Sequence, residues 1–128
     1  MRQELTDLAN SYRQAGDAIL EAIKASIQAA GGFVNCSNNK QEKPDIRALV
    51  FDGNKGYTET FPIRALRVTP EGKIEAYIGT FGTIYTDKYL REGKLADEHW
   101  MALKDSNILF YQTILSIAKH IDEYLPKG

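Results

Sequence analysis

The sequence predicts an α+β domain in two layers: a three-stranded antiparallel meander flanked by a long N-terminal helix and a C-terminal helix, in the order α-β-β-β-α, with residues 1–128 as one domain. Three observations predict it. Apolar residues recur at helical spacing over residues 3 to 30, Asp45 to Thr86 breaks into three runs separated by turn residues, and residues 105 to 125 form a second helical stripe with few polar positions.

In the first helix Leu5, Leu8, Tyr12, Ala15, Ile19, Ala22 and Ser26 fall at alternating spacings of three and four. Ile23, Ile27 and Ala30 widen the stripe, and Gly31-Gly32 stop it. At the standard rise such a helix runs roughly 40 Å, nearly the length of the whole body. Gly16 at its middle permits either a kink or the close approach of another helix. The regular stripe fits half of a helix pair between subunits, whereas the short side chains of Ala15, Ala22 and Ala30 favour packing within one domain. Asn35 to Lys43 is polar and without periodicity, the composition of a linker.

The strand block opens with Ile46 to Phe51, rich in β-branched and aromatic residues, and Asp52-Gly53-Asn54-Lys55-Gly56 turns it, with glycine supplying positive φ. Tyr57 to Thr69 is the second strand and Thr69-Pro70-Glu71-Gly72-Lys73 the second turn. Ile74 to Thr86 is the third, with bends expected at Gly79 and Gly82. Strands joined by such short turns are antiparallel neighbours, because a parallel return needs a crossover. The second strand changes phase, Phe61, Ile63 and Ala65 on one parity and Leu66 and Val68 on the other, which predicts a bulge near Arg64 to Leu66. Pro62 cannot donate to a central ladder, so a break is expected at Phe61-Pro62. Asp97 to Leu103 is read as a helical turn that anchors Trp100 in the core, and Asp105 or Ser106 as the cap of the last helix, which Leu125-Pro126 ends.

Composition narrows the function. Net charge is -1, with 16 basic and 17 acidic residues interspersed, so nothing favours a polyanion as obligate partner. The single cysteine excludes an internal disulfide, and neither end carries an apolar segment of signal-peptide or membrane length. A cytoplasmic protein without a membrane partner is expected.

The α-β-β-β-α succession resembles that of double-stranded-RNA-binding domains, which place lysines at the start of their second helix to meet phosphates. The matching stretch here, Leu103-Lys104-Asp105-Ser106-Asn107, has one lysine beside an aspartate, so the likeness is one of topology and nucleic-acid binding is not expected. A second resemblance rests on Ile63-Arg64-Ala65-Leu66-Arg67-Val68, Trp100-Met101-Ala102-Leu103 and Thr113 to Ile121. These look like small uncharacterised bacterial proteins found among mobile-element genes, which implies a bacterial accessory protein and no particular activity.

No catalytic, cofactor or metal residue is assigned. Cys36 sits in a polar loop and would need His99 or His120 beside it to act as a nucleophile, and no local feature brings either there. Two histidines and one distant cysteine match no metal-ligand spacing. His120 is expected near the C-terminus of the last helix. Asp87, Glu92, Asp97 and Glu98 alternate with lysine and arginine as in a solvated loop, and Gly53-Asn54-Lys55-Gly56 is a turn between strands, not a phosphate cradle.

Aromatic surface stands out instead. Leu49, Phe51, Tyr57, Tyr77, Phe81 and Tyr85, with Tyr89 nearby, are expected to form an apolar patch on the sheet face away from the helices. The first helix or Phe33-Val34 covers it, a second copy pairs on it, or a partner protein or small ligand occupies it. The chain is therefore read as a non-enzymatic interaction or regulatory module, most simply a homodimer, without a cofactor. The alternatives are a ligand-binding or enzymatic cleft between subunits, with Arg64 and Arg67 as anion contacts, and, least favoured, a nucleic-acid-binding domain.

Overall fold

A computed structural model describes residues 2–38, 42–78 and 100–126. Helix α1 spans Arg2–Ala29. It ends where Gly31 and Gly32 take φ of 94° and 89°, and Gly32 N–H donates to the Ile27 carbonyl at 2.9 Å. The chain then enters β1 (Phe33–Asn35), β2 (Arg47–Asp52), β3 (Tyr57–Val68), β4 (Ile74–Ile78) and β5 (Trp100–Ala102). Helix α2 (Phe110–His120) and a 3-10 turn, Ile121–Glu123, close it.

The α+β class and the antiparallel β2-β3-β4 succession are those expected, but the described residues form a sheet of five strands, not three. β3 is its axis: β2 pairs with residues 57–62, β4 with 63–68, and β1 lies beside 65–67, with β5 outside β4. The register shifts between Ile63 and Ala65, the predicted bulge. It carries Ile63 and Leu66 alike into the core although they differ in parity.

No break occurs at Pro62. Residues 57, 59, 61 and 63 point their amides at β2, as the Ile63 N–H to Ile46 carbonyl bond of 2.8 Å shows, so the nitrogen of Pro62 faces the opposite edge. Among the described residues β4 reaches only as far as Ile63 along that edge, and proline there removes no ladder bond. Residues 79–86, the expected remainder of the third strand with its bends at Gly79 and Gly82, lie outside the described residues.

Two further expectations change. Trp100 belongs to a strand paired with Tyr77, not to a helical turn. The last helix begins at Phe110, because the segment before it is spent on the outer edge of β2. Asp105 takes the Asn107 amide onto its carboxylate at 2.9 Å instead of capping α2, Phe51 N–H donates to the Asn107 carbonyl at 2.7 Å, and Leu109 N–H to the Leu49 carbonyl at 2.9 Å. Farther along the same edge α2 turns its hydroxyls to the strand: Leu49 N–H donates to Thr113 Oγ1 at 3.1 Å and Arg47 N–H to Ser116 Oγ at 3.0 Å. An i,i+3 pair on one helix face thus satisfies two amides of an edge strand that would otherwise be open.

Both helices pack on one face of the sheet. Leu20, Ile23 and Ile27 of α1 and Ile114, Ile117 and Ile121 at the C-terminal end meet Val34, Ile46, Ala48, Ile63, Leu66 and Ala76 in one core. Gly16 is the first buried residue of α1. A Cβ there would overlap the Tyr111 ring, so the glycine serves close helix approach.

Candidate interaction surface

The register takes Tyr57 off the expected sheet patch and leaves Leu49 and Phe51 on one face. Leu49 and Phe51 pair with Thr60 and Thr58, while Tyr57 pairs with Asp52, so Tyr57 shares the parity of Phe61 and Ile63 and lies on the opposite face from Phe51. Both Phe51 and Tyr57 are exposed at the hairpin end. Tyr77 is half-buried and packs edge-on against Trp100 at 5.6 Å, with Phe33 on the same indole at 6.3 Å. Phe81, Tyr85 and Tyr89 lie outside the described residues.

Of the candidate anion contacts, Arg67 is engaged. Its Nη2 and Nε reach Glu75 Oε1 at 2.7 and 2.8 Å, and its guanidinium lies 4.3 Å from the Trp100 ring centroid. Arg64 occupies the bulge with its Nε buried and unpartnered. The structure does not set the two arginines side by side around a shared contact.

Cys36 is in the core at 2 % exposure, with Sγ 3.7 Å from the Val34 carbonyl. Burial pushes its thiol from 9.0 up to about 12, against a smaller downward pull from Lys43. That environment suits an inert thiol. The polar loop around it is closed by Asn38, buried at 5 % exposure, which donates to the Lys43 carbonyl and to Asp45 Oδ1 and accepts from Lys43 N–H. Tyr124 O–H fastens the same loop by donating to the Pro44 carbonyl at 2.7 Å.

A folded chain that keeps the Cys36 proton while the unfolded chain releases it loses stability as pH rises. Stability is full below about pH 9 and falls by about 1.4 kcal/mol per pH unit toward pH 12. Urea unfolding at pH 8 and pH 10 is expected to show a larger loss for the wild type than for Cys36→Ala; equal losses would contradict the assignment.

His120 ends α2, the helix-terminal position expected. His99, Asp87, Glu92, Asp97 and Glu98 lie outside the described residues, and among the described residues no three His, Cys, Asp or Glu side chains converge as metal ligands. Gly53-Asn54-Lys55-Gly56 is the hairpin turn, where Asp52 Oδ1 accepts from Asn54 N–H at 2.9 Å. Lys104, in the stretch compared with RNA-binding domains, faces Asp17 at 3.4 Å.

The surface that stands out is on α1. Every residue from Gln3 to Ala15 is exposed, and Leu5, Leu8 and Tyr12 present 61 %, 51 % and 60 % of their surface. The body buries a different line of the helix, Gly16, Leu20, Ile23 and Ile27, so Ala15 and Ala22 are exposed and do not pack within the domain as their size suggested. Of the stripe at alternating three- and four-residue spacing, Leu5, Leu8, Tyr12, Ala15 and Ala22 face outward, while Ile19 is half-buried against the core. Tyr111, against Gly16, and Leu115 one turn along α2 are exposed apolar side chains too.

An isolated helix shorter than about 12–15 residues is marginal in water, and the first half of α1 draws no stability from the core. Its visible support is local: Gln3 Nε2 donates to Asp7 Oδ1 at 2.9 Å, and Glu4 stands in the first turn. No helix among the described residues is long and apolar enough to cross a membrane. No family model, curated protein or solved structure matches the chain.

Proposed function

We propose that the protein is a self-associating interaction module whose contact surface is the projecting half of α1. The observation that carries this reading is the exposure of Leu5, Leu8 and Tyr12 on a helix segment that touches no core. Monomers seldom leave such a stripe bare. A seam at 3.5-residue average spacing is matched by a like seam, each side chain entering a gap between four of the facing helix. A second α1 supplies it, and a two-fold axis makes the contact closed and isologous. Of the two self-assembly surfaces read from the sequence, the aromatic sheet face and the stripe of the first helix, this reading takes the helix. The activity is non-enzymatic: assembly, and regulation through it, in the cytoplasm.

The arrangement is tested by labelling. Cys36 is shielded, so Asn10→Cys offers one reactive thiol on the exposed helix, and a spin label there reads the separation between two α1 helices. A defined distance between labels on two chains is expected. Labels that report only isolated chains contradict the reading.

A further inference from the structure

A groove of about 410 Å³ lies between α1, the turn joining β3 to β4, and the segment after β5, within the size range of small-ligand pockets. Its floor is apolar, made by Leu20, Ile74 and Leu103. Three lysines, Lys24, Lys73 and Lys104, stand around it. Among the described residues Lys24 and Lys73 form no ion pair, while Lys104 is held by Asp17 on the exposed surface. Lys24 is half-buried, and its Nζ lies 3.1 Å from where a side chain on Gly72 would begin. The turn glycine, at φ 84°, thus leaves the ammonium room over the groove wall.

The geometry points to a binding site for a small amphipathic carboxylate, its apolar body on Leu20, Ile74 and Leu103 and its carboxylate between Lys24 and Lys73. Each part of the ligand class follows from the lining. A bare anion leaves the apolar floor wet, and a neutral apolar molecule leaves two ammonium groups without a counter-charge. Glu21 and Asp105 also line the groove and Lys104 is paired with Asp17, so these groups sum to no net charge; the anion contact is local, at the unpaired Lys24 and Lys73, which suits one carboxylate and is unfavourable to a polyphosphate. The groove lies off the exposed stripe of α1: measured from the mean direction of Leu5, Leu8 and Tyr12, Leu20 is about a quarter turn round the helix, Lys24 about a third and Glu21 about a half. Binding there is therefore separable from self-association.

Octanoate and its uncharged analogue octanol are the probes, titrated into the full chain with backbone amide NMR as the readout. Saturable shifts at Leu20, Lys24, Ile74 and Leu103 are expected with octanoate, at an affinity well above that of octanol. In Lys24→Gln/Lys73→Gln, octanoate affinity falls about five- to tenfold, as loss of exposed charge pairs implies, and octanol binding is unchanged. Raising ionic strength weakens octanoate binding to the wild-type chain in the same direction, a measurement that holds even if the variant folds poorly. Equal affinity for the two probes, shifts centred on Leu5 and Leu8, no saturable shift, or salt-independent binding of octanoate would each overturn the assignment.

Discussion

Leu5→Glu/Leu8→Glu is expected to be a monomer at concentrations where the wild-type chain is a dimer. Two leucines per chain become four across a two-fold contact, and burying each is worth about 1.5 kcal/mol or more. The pair of substitutions therefore removes about 6 kcal/mol, or about four powers of ten in Kd. The core residues of α1 begin at Gly16, so the body keeps its fold. The freed segment loses its support and frays, and helical circular dichroism falls with it. Sedimentation of the variant beside the wild type checks this. A variant that sediments as wild type shows that the stripe is not the contact.

Thr113→Val is expected to destabilise the chain by about 2 kcal/mol with no change in assembly. Valine keeps the volume of threonine but not the acceptor. Thr113 is fully buried, so the Leu49 amide it serves would stay out of water without a partner. Ser116→Ala makes a useful comparison: Ser116 is half-buried where Thr113 is fully buried, so a smaller cost is expected. Urea unfolding resolves the two. Equal stabilities of Thr113→Val and wild type would mean that the strand edge is not held by these hydroxyls.

What could be read from the sequence was whatever follows from short-range rules. The stop at Gly31-Gly32, the hairpin turn at Asp52 to Gly56 and the change of phase around Arg64 each depend on a few adjacent residues, and the structure has all three. β1 and β5 were not legible, because three residues are too few to show a period and their strand character comes from Arg67 and Tyr77 across the ladder. The start of α2 was misplaced for a related reason. Asp105 and Ser106 have capping chemistry, but Asn107 to Leu109 form bonds with β2 that compete with an earlier helix start.

The interaction surface was legible as a stripe and not as a surface. α1 carries two apolar lines about one residue apart, and the spacing in the sequence treats them alike. Which one is buried depends on Tyr111 meeting Gly16, a contact between residues far apart in the chain. Tyr57 drops out of the expected sheet patch because the hairpin register puts it on the opposite face from Phe51, and strand parity cannot be compared across a turn until that register is known. The groove lysines gave no signal, since Lys24, Lys73 and Lys104 come together only when α1 crosses the β3–β4 turn.

Absolute mass by light scattering, followed over about a hundredfold dilution, tests self-association most directly. Twice the chain mass at the concentrated end, lost in Leu5→Glu/Leu8→Glu, is the predicted result. A single chain mass for the wild type at every concentration would contradict it.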